Sequence, residues 1–263
     1  MLLSIVLPAF NEEHRIGVVL DQLIEYAAGC AHDLEVILVD DGSTDATVAT
    51  AETYGDELPE LRVVPLSENR GKGRAVATGM LEARGSYRAF FDADGATPIG
   101  EVEKLLAVAE ATPRTVAIGS IRTAGSSVVR HQPLLRTVAG RIGNRIIRSA
   151  VLPGIADSQR GCKLFPAELA DVVFSAQLTD GWVFDIEVLA LCQKVGYEIV
   201  EVAVDWTHIE GGQVRPVDYF WTLREVMAVR RLLRRDAHEL GAVGARAGAT
   251  RSISPVQRRA VQH

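Results

Sequence analysis

Asp92 and Asp94 stand one residue apart in Phe90-Phe91-Asp92-Ala93-Asp94-Gly95, at the end of the mainly apolar run Tyr87-Arg88-Ala89-Phe90-Phe91. Alternation along an extended chain sends both carboxylates to the same side. Unpaired carboxylates at the end of a buried strand are costly, so their presence points to a use. Hard oxygens gathered in this way suit Mg²⁺ or Mn²⁺ holding a diphosphate. The competing reading is a D-x-D-G turn that caps the next helix. Two other clusters share this character: Pro8-Ala9-Phe10-Asn11-Glu12 and Asp40-Asp41-Gly42-Ser43. Gly71-Lys72-Gly73-Arg74 adds glycines and cations that could let backbone and charge approach phosphates. It lacks the full P-loop pattern, and a plain helix start is the alternative.

The elements that must position these groups alternate in type. Strands are expected at Ser4–Pro8, Leu34–Val39, Leu61–Pro65, Tyr87–Asp92 and Val116–Ser120. Helices are expected at Glu12–Ala28, from a Ser43 or Thr44 cap to about Tyr54, at Gly71–Arg84 and near Ile99–Ala111. Near-continuous apolar strands alternating with helices imply a doubly wound, mostly parallel α/β sheet with helices on both faces. Ligands of such sheets sit beyond the carboxyl ends of the strands, where each polar cluster falls. Residues 130–152 and 217–235 place apolar side chains at helical spacing among arginines, Arg136 included. Such stretches are either basic amphipathic helices for an anionic membrane surface or ordinary surface helices. The segment 236–263 reads as a mobile tail.

Composition bounds the function. With 263 residues, 48% of them hydrophobic, the chain has material for a sizeable core. Three scattered cysteines fit no metal pattern and read as reduced thiols. The start shows no signal peptide, and no 18-residue apolar stretch occurs, so a membrane-crossing helix is not expected. The net charge of −6 is unevenly spread: residues 1–113 hold 20 acids against 8 bases, whereas 114–163 hold one acid against nine bases. A basic segment in an acidic chain is suited to an anion such as a phosphate. Bases confined to amphipathic stretches argue against nucleic acid.

Four motifs, in order and spacing, resemble family 2 glycosyltransferases of the GT-A fold: Val6-Leu7-Pro8-Ala9-Phe10-Asn11-Glu12, Val39-Asp40-Asp41-Gly42-Ser43-Thr44-Asp45, Asn69-Arg70-Gly71-Lys72-Gly73 and Asp92-Ala93-Asp94. Asp157-Ser158-Gln159-Arg160-Gly161-Cys162-Lys163-Leu164-Phe165, Trp182-Val183-Phe184-Asp185-Ile186-Glu187 and Trp206-Thr207-His208-Ile209-Glu210-Gly211 are similar to the polyprenyl-phosphate sugar synthases, the dolichyl-phosphate β-glucosyltransferases in particular. The likeness covers about residues 1–235. It implies a nucleotide-sugar half (1–120), an acceptor half (121–215) and an amphipathic helix (216–235). The implied reaction is transfer of a sugar, glucose from UDP-glucose, to a polyprenyl monophosphate with inversion. The implied setting is peripheral, at the cytosolic face of a membrane.

By the same resemblance Pro8, Phe10, Glu12, Asp40 and Lys72 line the nucleoside pocket, and Asp92 lies by the ribose and sugar. Asp94 holds the Mg²⁺ or Mn²⁺, Gln159 and Asp185 face the sugar or reacting centre, and Arg122 and Arg136 hold the acceptor phosphate. Asp185 and Glu187 have a second reading, a buried pair satisfied by neighbouring arginines. The chain departs from the family where Glu210-Gly211 is followed by Gly212-Gln213 instead of Ser-Lys, with Arg215 as a substitute cation. Four other readings compete: transfer to a soluble hydroxyl with Asp185 as base, the same chemistry with GDP-mannose as donor, a non-catalytic nucleotide-binding or membrane-adaptor protein of the same fold, and nucleotidyl transfer. The last lacks its Gly-rich basic signature after the first strand.

Overall fold

Alternate residues of the inner strands feed two separate apolar layers. In β1 (Leu2–Ala9), Leu3, Ile5, Leu7 and Ala9 enter one layer and Val6 the other. In β2 (Asp33–Asp40), Val36 and Leu38 join the first layer, Ile37 and Val39 the second. β4 (Tyr87–Phe91) divides likewise, with Ala89 and Phe91 opposite Phe90. This period of two, apolar on both sides, belongs to a sheet covered on both faces. The computed structural model describes residues 1–130 and 151–207, with 209, 226, 227, 229 and 230 beyond them.

The main sheet has seven strands in the order β3-β2-β1-β4-β7-β5-β8, adding β3 (Leu61–Pro65), β5 (Thr115–Ser120), β7 (Cys162–Pro166) and β8 (Glu198–Ala203). Its pairings are parallel except those of β7, which runs antiparallel between β4 and β5. Two short strands, β6 (Val128–Arg130) and β9 (Trp206–Thr207), pair separately. One face packs on α1 (Ile16–Gly29) and α4 (Val102–Ala111), and the other on α3 (Lys72–Glu82), α5 (Ala167–Ser175) and α6 (Phe184–Lys194). Phe90, Phe165 and Phe184 meet in the second layer with ring centres 5.7–6.2 Å apart. Each such ring contributes about 2–3 kcal/mol by leaving water. The expected α/β sheet with helices on both faces is the observed architecture.

Local differences have local causes. Neither Ser43 nor Thr44 caps α2 (Thr47–Glu52), whose N-cap is Ala46. Ser43 Oγ instead accepts from Asn11 N, and Thr44 N donates to Asn11 Oδ1, each at 2.9 Å. Asn11 has φ 54°, a left-handed conformation that asparagine tolerates, so the chain turns there and α1 begins only at Ile16. Cys162 and Cys192 are buried free thiols and Cys30 is a partly buried one. Among the described residues no helix is long and apolar enough to cross a membrane. The stretch 131–150, nearly all of 217–235 and the tail 236–263 lie outside the described residues, so the amphipathic and tail expectations fall there.

Candidate active site

The C-terminal edge of the parallel strands collects the site. β1 delivers Pro8, Phe10 and Glu12; β2 delivers Asp40; β4 delivers Asp92 and Asp94; and α3 opens with Lys72. Antiparallel β7 begins at this same edge, so the loop 157–161 reaches it from the other side. Asp92 N donates to Gly161 O at 2.9 Å, joining the two segments. A Cβ on Gly161 would lie only 2.0–2.2 Å from the Asp92 carboxylate atoms, so that space exists because residue 161 has no side chain.

Charges at this edge interlock. Lys72 Nζ lies 2.5 Å from Asp92 Oδ1. Burial pushes the Asp92 carboxyl up, but Lys72 first, then Lys163 and Arg160, bring it below the usual carboxylate value. Asp94 goes the other way: burial and the neighbouring Asp92 charge raise it, against a hydrogen bond from Ala96 N to Oδ1 at 2.9 Å and the more distant charges of Lys72 and Arg15. Glu12 is raised as well, chiefly by burial, even though Arg15 grips both its oxygens at 2.5 and 2.6 Å. The outcome is one carboxylate held ionised by cations and a second without an ion-pair partner among the described residues.

A divalent ion would find few side-chain ligands at this edge. No group of three or more potential ligand side chains occurs among the described residues. Mg²⁺ and Mn²⁺ fit such a site when one or two carboxylates share the ion with substrate phosphates and water. Asp94, raised and without an ion pair among the described residues, is the carboxylate such an ion would relieve. Asp94 would supply one ligand to such an ion, with the rest drawn from a diphosphate and water.

Several groups serve the frame. Asp40 accepts from Ser43 N, with its closer oxygen at 3.1 Å. Asp41, to which sequence reasoning gave no role, accepts Arg70 N and Gly71 N at 2.8 Å each and fixes the loop before α3. The glycines of Gly71-Lys72-Gly73 do not form an open phosphate cradle. Cβ atoms there would strike Asp180 O and Thr179 O at 2.6 Å, so the glycines admit the segment 179–181. Gly71 also has φ 105°, which disfavours a side chain. Of this motif only the Lys72 side chain faces the acids.

Asp185 and Glu187 are not satisfied by arginines. Asp185 is paired with Lys163 Nζ at 2.7 Å, in a pocket where the lysine side chain is 1% exposed. Asp185 Oδ1 makes no aligned hydrogen bond, so the contact is a charge pairing. Glu187 accepts Leu178 N and Thr179 N at 2.9 and 2.8 Å. Replacing it, as Glu187→Ala, leaves two part-buried amides without this partner and is expected to cost about 1–3 kcal/mol in urea unfolding. A loss below about 1 kcal/mol would mean that water reaches the 178–179 turn.

Gln159 is exposed on the loop into β7, and Arg122 is exposed in the turn after β5. Arg136 lies outside the described residues. The basic segment divides: Arg114 donates to Val195 O at 2.6 Å at the opposite end of β5, whereas Arg160 and Lys163 reach the site. Lys163, Arg160, Gly161 and Trp182 stand inside the sequence motifs but had no expected role. The signal for Lys163 was a lone lysine inside an apolar run. Trp182 is exposed, with Lys72 Nζ 5.4 Å from its ring centre.

Comparison with known proteins bears on the family and the fold. The family model described as glycosyl transferase family 2 matches residues 4–174. A dolichyl-phosphate beta-glucosyltransferase of Drosophila melanogaster is 37% identical over 232 residues, covering 84% of this chain and 70% of the relative. Its namesake in Homo sapiens is 36% identical over 234 residues, covering 84% and 71%. Among solved structures, glucosyl-3-phosphoglycerate synthase from Mycobacterium tuberculosis in complex with Mn²⁺, uridine diphosphate and phosphoglyceric acid superposes with a TM-score of 0.64. That pair shares 24% identity over 89% of this chain and 78% of the other, a likeness of fold. S. aureus TarS in complex with UDP-GlcNAc gives a TM-score of 0.59 at 20% identity, covering 87% and 66%. With its GT-A sheet, its acidic edge and these relatives, the chain belongs to glycosyl transferase family 2.

Proposed function

We propose that this protein transfers glucose from UDP-glucose to a dolichyl-type polyprenyl monophosphate, with inversion at the anomeric carbon. The observation that carries this reading is the burial of Asp185, the base candidate for a hydroxyl acceptor, against Lys163. Asp185 is sealed against Lys163, and Glu187 spends both oxygens on backbone amides. Asp92 is held ionised by cations and is a weak proton acceptor. A hydroxyl acceptor needs a base to remove its proton; a phosphate monoester is already ionised at neutral pH and needs none. This favours a phosphate acceptor over a soluble hydroxyl one, and the relatives named dolichyl-phosphate beta-glucosyltransferase support the same choice.

In this reaction an acceptor phosphate oxygen forms the new bond to the anomeric carbon. The bond from that carbon to the diphosphate breaks, and its electron pair leaves on the UDP. Pro8, Phe10, Glu12 and Asp40 border the nucleoside, Asp92 the ribose and sugar, and Gln159 the sugar. Arg122 and Arg136 take the acceptor phosphate. Asp94 would hold Mg²⁺ or Mn²⁺, which when bound offsets charge developing on the leaving diphosphate. The protein would meet its lipid at the cytosolic membrane face through the basic stretches 130–152 and 217–235.

The test is transfer of radiolabel from UDP-glucose and, in parallel, GDP-mannose to citronellyl phosphate in detergent with Mg²⁺. Organic-extractable label from UDP-glucose is expected, and Asp94→Ala is expected to lower kcat/KM at least about 100-fold. Label from GDP-mannose alone would replace the donor, and label only on a soluble sugar or alcohol would replace the acceptor.

A further inference from the structure

Three cations act on Asp92, and what each can reach separates them. Lys163 is enclosed by Asp185, the Phe90 ring and the Arg160 carbonyl, and no ligand can touch it. Lys72 commits its ammonium to Asp92. Arg160 is placed differently. Its side chain is 22% exposed, and its guanidinium lies 4.5 Å from the Trp206 ring centre, stacked on β9. Only Nε is engaged among the described residues, on Asp157 Oδ2 at 3.1 Å. The two Nη groups carry four further N–H donors in a planar fork.

The mounting is rigid. Asp157 Oδ2 also accepts Ile121 N at 3.2 Å, which ties the turn bearing Arg122 to the loop bearing Arg160. Asp157 is itself held by its own amide on Glu201 Oε1 at 2.8 Å, beside Ala156 N on Oε2 at 2.7 Å. Next along the chain, Gly161 O receives Asp92 N. One buried carboxylate thus sets two arginine-bearing loops against the acidic edge.

We propose that Arg160 is a phosphate-binding residue of this site, its Nη fork taking a phosphate oxygen of one of the two substrates. This rests on the proposed transfer between phosphate-bearing substrates, and it names a cation inside the described site, as distinct from Arg215. An arginine fixed at Nε and stacked on an indole loses little freedom on binding and offers two parallel donors to a phosphate.

Calorimetric titration of the full chain with UDP plus Mg²⁺, and separately with citronellyl phosphate, tests this without turnover. Arg160→Gln is expected to weaken one titration at least about tenfold, the size of a lost charge-assisted contact. Arg160→Lys, which keeps a charge beside Asp157, is expected to recover only part of it. Selective loss for UDP assigns the donor diphosphate; selective loss for citronellyl phosphate assigns the acceptor. Less than twofold change in both overturns the proposal. So does weakening of both ligands in step with a lowered unfolding midpoint in both variants, since Arg160 is then only a brace for Asp157. Should the wild-type protein move no sugar to citronellyl phosphate, the transfer reading fails while the UDP titration still decides Arg160.

Discussion

Gly161→Ala is expected to abolish most of the activity while leaving the fold standing. The new methyl group would sit 2.0 Å from Asp92 Cγ, far inside contact distance. The backbone there cannot yield easily, because Gly161 O holds Asp92 N and Cys162 begins the pairing of β7 with β4. The Asp92 carboxylate, the movable partner, must rotate away from Lys72. A displaced rotamer costs about 0.5–1.5 kcal/mol, whereas a misplacement near 1 Å in a reacting centre costs about 100-fold in rate. Gly79→Ala makes the informative contrast. Its Cβ would meet Val6 Cγ1 at 2.3 Å and Val39 Cγ2 at 2.9 Å inside the core. That change is expected to cost about 1–3 kcal/mol of stability with normal turnover per folded molecule. Measuring kcat/KM and urea midpoints for both variants checks the pair. Near wild-type turnover in Gly161→Ala would mean that the Asp92 position is not used in the reaction.

The sheet edge was legible because its signals are local. An acid pair closing Tyr87–Phe91 needs no partner elsewhere to be noticed, and the same holds for Asp40-Asp41 after Leu34–Val39. β3 has the expected bounds, Leu61–Pro65, since a charged loop precedes it and a proline closes it. β7 was illegible for the opposite reason. Cys162-Lys163-Leu164-Phe165-Pro166 is short and carries a lysine at its second position, where a buried strand should be apolar. Its counter-ion, Asp185, lies 22 residues onward, beyond the span of a strand pattern.

The glycines of 71–73 show a related limit. A small residue beside a cation reads equally as a phosphate cradle or a helix start, and the structure gives a third cause, the passage of Thr179–Gly181 across them. The expectation of arginines beside Asp185 and Glu187 failed because the nearby arginines have other duties: Arg74 pairs with Asp180 at 3.0 Å and Arg88 with Asp171 at 2.7 Å. The acid pair also serves two unrelated ends. Two positions apart on one helix, Asp185 faces β7 and Glu187 faces the 178–179 turn, a division that depends on α6, which the sequence did not mark as a helix.

Lys163→Met is expected to be among the most damaging single substitutions in the core, and its pH dependence identifies the cause. Met fills similar volume, so the loss is one of charge: Asp185 is left buried without its counter-ion, at a cost of about 3–5 kcal/mol. Burial already raises the Asp185 carboxyl above its ordinary value, with Lys163 the largest force opposing it. A carboxyl whose folded-state pKa lies above its unfolded value favours folding in its neutral form. That contribution is present at low pH and is lost as pH rises through the folded-state pKa. Removing Lys163 lifts the folded value further, and Asp92, which Lys163 also holds down, moves the same way. The deficit of Lys163→Met relative to wild type is therefore expected to be larger at pH 8 than at pH 5; a flat deficit would reject an electrostatic origin. Adding Asp185→Leu should restore most of the stability, because an apolar pair replaces a buried ion pair at little cost. Activity then divides the two meanings of Asp185. If the carboxylate only matches Lys163, the double variant regains turnover along with its fold; if it also faces the reacting centre, the double variant is stable and inactive.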